Sequence, residues 1–140
     1  MRLEETVEIA RPPDAVWSYL ADVANLPRWQ GAVDRVEWKG GEAVAGDAFR
    51  EERTFLGRRV ANAVEVVAAE PGREFTVATT AGPVDVTARH LLEPAGSGTL
   101  LRVEVEAKRV PRLMAGMAVR AARKQAAEDL ARLKRLLEGE

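Results

Sequence analysis

The sequence predicts an α+β fold in which a curved antiparallel sheet of seven strands wraps a long C-terminal helix, with two short helices between strands 1 and 2. Three observations carry that reading. Short runs of alternating apolar and polar residues, broken by glycine and proline, fill the middle of the chain. A long stretch without a Gly-Pro break closes it, with an apolar stripe at helical spacing. That helix is the only large amphipathic element available to cover the apolar face that such a sheet must bury.

Taken in order, Leu3, Val7 and Ile9 alternate with Arg2, Thr6 and Glu8, the period of a half-buried strand. Pro12-Pro13 ends it. Pro13 also suits the first turn of a helix, and Asp14 favours its positive end. Val16, Trp17, Leu20 and Val23 then recur at helical spacing, and Asn25-Leu26-Pro27 breaks that helix before a short turn holding Trp29. Tyr19 lies off the apolar stripe, a position open to exposure. Strands are expected over Val33 to Lys39, Ala48 to Phe55, Arg58 to Ala68, Glu74 to Thr80, Val84 to Leu92 and Thr99 to Lys108. The last helix starts near Pro111 and runs to Gly139, with Val119, Ala126, Leu130, Leu133 and Leu137 as its stripe.

Composition limits what the chain can do. Its 140 residues fit a single domain, expected to span 1–140. With no cysteine there are no disulfides, thiolate nucleophiles or thiolate metal sites, which fits a reducing cytosol and makes a cytoplasmic location the expectation. A net charge of −1 with 31% charged residues gives no nucleic-acid footprint. No apolar run is long enough to span a membrane, and Met1 to Ala10 is too acidic to read as a signal peptide. One histidine without cysteine leaves no convincing zinc set, and no Gly-rich phosphate loop occurs. No cofactor or metal is expected. Ser18 and Ser97 have no visible base to activate them.

Several local phrases, in this order, carry a likeness to a known family. They are Pro12-Pro13-Asp14-Ala15-Val16-Trp17, Leu20-Ala21-Asp22, Leu26-Pro27-Arg28-Trp29, Glu70-Pro71-Gly72-Arg73, Leu92-Glu93-Pro94 with Gly98-Thr99, and Leu130-Ala131-Arg132-Leu133-Lys134. Together with the layout they resemble the polyketide cyclase/dehydrase-like branch of the START (SRPBCC) superfamily. The resemblance covers nearly the whole chain. It implies a helix-grip, Bet v 1/START-like fold with a cavity between sheet and long helix. It does not imply one activity, because members bind lipids, cyclise polyketides, bind hormones or act on protein partners.

Strand alternation assigns the inward positions if the helix covers the apolar face. These are Phe49, Glu51, Arg53 and Phe55 on the third strand, and Val60, Asn62, Val64 and Val66 on the fourth. Phe75, Val77 and Thr79 follow on the fifth, then Val84, Val86, Ala88, His90 and Leu92 on the sixth. Leu101, Val103, Val105 and Ala107 face inward on the seventh, and Glu5 joins Leu3 and Val7 on the first. Many of these are small, as are Ala121, Ala122, Ala126, Ala127 and Ala131 on the helix. Small residues on both walls mean either a close dry contact or a void. Cores do not normally keep voids, so a retained one would be a binding site.

His90 is the only histidine, and it serves either as an acid/base group or as a hydrogen-bonded wall residue. At the matching position the family usually carries an aromatic residue. Glu51 and Arg53 form either an orienting pair inside the pocket or an ordinary exposed pair. Inward placement requires a partner such as Asn62, water or ligand. Trp29 matches the family's tryptophan, which the resemblance places at the short helix bordering the cavity. Lys108, Arg109, Arg112, Arg120, Arg123 and Lys124 precede any acid of the helix, so this end is either a solvated face or a site for an anion. Met114 and Met117 suit a cavity lip, a dimer contact or plain helix packing.

The expected ligand-contacting set is Trp29, Phe49, Glu51, Arg53, Phe55, Asn62, Val64, Phe75, Val77, Thr79, Val86, Ala88, His90, Val103, Met117, Arg120, Ala121 and Lys124. Three functions compete. The first is binding of a small hydrophobic or aromatic molecule, such as a lipid or polyketide-like metabolite, by a monomer or homodimer. The second is a cyclase or dehydratase using His90 or Glu51 as acid/base, with Arg53 steadying an enolate. The third is a protein-binding module, which a conspicuous exposed apolar patch would favour.

Overall fold

The computed structural model describes residues 1–139. Its strands are β1 (Arg2–Ile9), β2 (Val33–Glu37), β3 (Ala48–Phe55), β4 (Arg58–Glu70), β5 (Glu74–Ala81), β6 (Asp85–Ala95) and β7 (Gly98–Lys108). Between β1 and β2 lie α1 (Pro13–Ala21), a 3-10 turn (Val23–Asn25) and α2 (Leu26–Trp29). A second 3-10 turn (Arg112–Met114) leads into α3 (Ala115–Leu137). The seven strands make one antiparallel sheet in the order β1-β7-β6-β5-β4-β3-β2. This is the Bet v 1/START-like helix-grip architecture: a curved sheet around a long helix.

Element boundaries follow local chemistry. Pro12 and Pro13 stop β1 and supply the first turn of α1, where a missing N–H costs nothing. β6 runs three residues past Leu92, because Pro94 pairs opposite Thr99 and Ala95 opposite Gly98 before a tight turn. The expected strand end at Leu92 is therefore extended by hairpin pairing. β4 also overruns its expected end at Ala68. A register shift against β5 between Val66 and Ala68 leaves Val67 exposed, so the buried side passes from Val64 and Val66 to Ala69.

The core joins both layers. Ile9, Leu101, Leu133, Val16 and Val66 are almost fully excluded from water, as is Trp17, whose indole N–H donates to the Glu74 carbonyl at 2.8 Å. The C-terminal half of α3 is fastened to β1 at several points. The Lys134 ammonium donates to the Glu8 carbonyl at 2.7 Å, Arg11 donates to the Leu137 carbonyl at 2.9 Å, and the Ala10 N–H donates to Glu138 at 2.7 Å. Tyr19 is not at the surface. It is half-buried against the core, and its carbonyl accepts from the Asn25 amide at 3.1 Å. Its hydroxyl is shut off from water with no hydrogen-bond partner among the described residues, and burial pushes its pKa up against the pull of Arg28. Ala127, expected on the inner wall, is exposed.

No helix among the described residues is long and apolar enough to cross a membrane. At the start of the long helix Leu113 is 102% exposed, with Met114 and Met117 also open.

Leu133 pins α3 to the sheet at 0% exposure, whereas Leu136 on the same helix is 41% exposed. Leu133→Ala is expected to lower the unfolding free energy by about 2–5 kcal/mol. Leu136→Ala should change it by less than about 1 kcal/mol. Urea denaturation of the two variants checks this, and equal losses would mean that the helix is not held by this stripe.

Candidate functional site

The concave face of the sheet and the inner face of α3 do not meet everywhere. They enclose a cavity of about 220 Å³. Its cause is side-chain size. Toward its C-terminal end α3 presents Leu130, Leu133 and Leu137 to the sheet, and these fill the gap. Toward its N-terminal end the same face presents Ala122 and Ala126, opposite Ala88, Val86 and Val103, and these do not. Leu3, Leu20, Val23, Leu26 and Ala32 complete the apolar wall.

The sheet positions named from alternation come together here. Phe49, Glu51, Arg53 and Phe55 of β3, Asn62 and Val64 of β4, and Phe75, Val77 and Thr79 of β5 all border the cavity. So do Val86, Ala88 and His90 of β6, Val103 of β7, and Trp29 at the end of α2. Four expected helix residues are elsewhere: Met117, Arg120, Ala121 and Lys124 do not border it. The reason is helical phase. Nine residues make roughly two and a half turns, so Met117 lies opposite Ala126 and Ala121 opposite Leu130. Arg120 and Lys124 point to solvent for the same reason.

In their place stand Gln125 and Asp129, which the sequence reading missed. The signal was available, because Asp129 falls three residues after Ala126 and four before Leu133 on the buried stripe. Asp129 is only 8% exposed. Its Oδ1 accepts from the Gly31 N–H at 2.9 Å, from Gln125 at 2.8 Å and from Arg132 at 3.2 Å. Arg132 also donates to the Trp29 carbonyl at 3.0 Å. One carboxylate thus ties the loop after α2 to α3. Gly31 permits the approach, since a Cβ there would come within 3.1 Å of the Gln125 amide and 3.2 Å of Arg132. Burial pushes the Asp129 pKa up, against the opposing pull of its donors.

The inward pair on β3 is fully formed. Glu51 is 6% exposed, and Arg53 clasps it with two donors, Nε at 2.7 Å and Nη2 at 3.0 Å. Asn62 of β4 adds a third donor at 2.9 Å, and Arg53 reaches Gln30 at 3.1 Å. Asn62 needs glycine beside it, because a Cβ at Gly82 (φ +151°) would collide with its side-chain oxygen. The charges of this pair cancel inside the cavity.

His90 is 4% exposed. Its ring meets Trp29 edge-on at 5.9 Å and Phe75 at 6.1 Å. Nδ1 lies 2.8 Å from the Phe75 carbonyl, which can only accept, so Nδ1 carries a proton. Burial pushes the imidazole below its ordinary pKa, and the carbonyl contact acts in the opposite direction. The neutral ring therefore leaves Nε2 as an acceptor beside the cavity.

The chain matches the family described as polyketide cyclase / dehydrase and lipid transport over residues 1–138. It belongs to that family. Solved structures share the fold at low identity. A START superfamily protein from Mycobacterium smegmatis is 22% identical, with 99% of this chain and 94% of that one aligned at a TM-score of 0.70. A protein from Thermus thermophilus is 17% identical, covering 99% and 95%, at a TM-score of 0.77. The major latex-like protein 151 of Panax ginseng is 11% identical, covering 99% and 95%, at a TM-score of 0.73. No curated protein matches the sequence. In this polyketide cyclase/dehydrase and lipid transport family member the cavity therefore lies where the helix-grip fold was expected to leave one.

Two outcomes are expected from these contacts. Arg53→Ala strands the Glu51 carboxylate in the cavity and should cost about 1–3 kcal/mol, discounted because Arg53 is itself 31% exposed. Adding Glu51→Gln should recover part of that loss in a denaturation cycle. The second outcome concerns pH. An unfolded histidine binds its proton near pH 6.5, while buried His90 resists until lower pH. Stability from this group is complete above about pH 6.5 and is lost as pH falls below it. Asp129, with its raised pKa, acts with the opposite sign at lower pH, so the His90 part is isolated by comparison with His90→Phe. That variant should show a shallower loss of stability between about pH 7 and pH 5.

Proposed function

We propose that this protein binds a small, mainly apolar molecule, aromatic or lipid-like, inside the cavity between sheet and α3. One observation carries the reading: Ala122 and Ala126 of α3 and Val86, Ala88 and Val103 of the sheet are small where a packed core would place large side chains, and a cavity of about 220 Å³ is left. Cores close voids of this kind because empty space forfeits contact energy. Keeping one favours a ligand that supplies the missing contacts. Affinity then comes mostly from apolar burial, at roughly 25 cal/mol per Å² before the costs of association. The Glu51–Arg53–Asn62 cluster, His90 and Asp129 orient the ligand rather than drive its entry.

A second reading rests on His90 alone. A neutral imidazole with a free Nε2 beside an apolar cavity is able to take a proton, as a cyclase or dehydratase requires. On that reading His90→Phe abolishes turnover while apolar binding survives.

The binding reading is tested with the neutral fluorophore N-phenyl-1-naphthylamine. Its emission should rise on addition of the protein, and a hundredfold excess over Kd should stabilise the fold by about 2.7 kcal/mol, read as a higher Tm. Ala126→Phe fills the cavity and should weaken binding by at least roughly tenfold while the chain still folds. Unchanged binding in Ala126→Phe would place the fluorophore elsewhere and remove the cavity from consideration.

A further inference from the structure

The polar atoms of the cavity also specify the ligand's own polar group. We infer that the ligand is an uncharged apolar molecule bearing a hydroxyl or N–H donor, received by Nε2 of His90. The inference rests on the binding reading above and narrows it to a chemical class.

The argument is one of hydrogen-bond accounting. A backbone carbonyl has no proton to give, so the 2.8 Å contact with Phe75 fixes the proton on Nδ1. Trp29 and Phe75 pack against the ring and supply no acceptor that would favour protonating the second nitrogen. Nε2 then has one lone pair, no partner among the described residues, and a place on the cavity wall. Asp129, joined to the Trp29 carbonyl through Arg132, takes all three of its donors on Oδ1, and Oδ2 has none among the described residues. This end of the cavity thus offers acceptors.

Donors sit at the other polar cluster, where Asn62 and Arg53 serve Glu51, and Gln30 borders the cavity with its side-chain nitrogen uncommitted among the described residues. Arg53 spends Nε and Nη2 on Glu51 and Gln30, and its side chain is 31% exposed. Thr79 is satisfied too, since its hydroxyl donates to the Val84 carbonyl at 3.3 Å and accepts from the Val86 N–H at 2.9 Å. A carboxylate ligand would set its charge against the His90 acceptor and against the Asp129 carboxylate on the same cavity wall. An ether or ester would set lone pair against lone pair at His90. A hydroxyl or N–H fits, and a buried acceptor left unpaired costs affinity.

Four probes of one shape separate the cases: 2-naphthol, 2-methoxynaphthalene, naphthalene and 2-naphthoate. Binding is followed by calorimetry. 2-Naphthol should bind roughly three- to tenfold more tightly than 2-methoxynaphthalene, and 2-naphthoate should be the weakest. His90→Phe should erase the preference for 2-naphthol over 2-methoxynaphthalene. A measurement on the unaltered protein covers the case in which that variant fails to fold. The chain has 1 histidine, so ¹⁵N-histidine labelling gives a single imidazole spectrum. The free protein should show the proton on Nδ1, and 2-naphthol should shift the Nε2 signal more than 2-methoxynaphthalene does. A proton on Nε2, equal shifts, or a methoxy compound that binds as well as the naphthol would overturn the inference and leave the apolar cavity intact. Failure of all four probes would instead remove the binding reading itself, and the inference with it.

Discussion

Everything in this molecule depends on how α3 is seated on the sheet. Leu130, Leu133 and Leu137 anchor one half of the helix, and Lys134 and Glu138 fasten its end to Glu8 of β1 and to Ala10 just after it. Those contacts set both the height of the helix above the sheet and its rotation. Once they are made, the other half has no freedom to descend. Its alanines hang above small residues of β6 and β7, and space remains between them. The cavity is thus a consequence of a rigid rod supported at one end over a curved surface, and not of any single pocket-forming side chain.

The same seating explains the polar groups. A buried carboxylate is tolerated only when it is paired or well supplied with donors. Glu51 receives three donors from within the sheet, and Asp129 receives three from the helix and the loop after α2. The second set is possible only because α3 passes close to Gly31. Asp129 is therefore both a cavity residue and a tie between the two elements that bound it, so occupancy of the cavity and the position of Trp29 share one network. His90 packs edge-on against that same tryptophan and is held in one tautomer by a main-chain oxygen.

The fold was readable because its signals are local. Alternation on β3, β5, β6 and β7 identified the inward residues correctly, since the side-chain period of a strand is two whatever the strand packs against. Trp29, Asn62 and His90 reached the cavity as expected. Failures arose where a decision depends on a partner. The end of β6 was set by pairing with β7, and the burial of Tyr19 by packing against the core. Asp129 was overlooked because a charged residue on an apolar stripe reads as a breach of the pattern until its donors are seen. Met117, Arg120, Ala121 and Lys124 were placed by their character and by nearness to the expected cavity, whereas helical phase counted from Leu133 puts them elsewhere.

The sequence by itself determined the order of elements, the parity of the strands, the family and the near-neutral charge, because each depends on residue type and spacing along one chain. Whether the facing alanines and valines touch or stand apart was decided only in three dimensions, since the gap depends on where distant leucines stop the helix. The tertiary structure also decided which buried polar atoms are left over. A donor count requires every neighbour in space, and Phe75, Gly31 and Arg132 are neighbours of the site only after the chain has folded.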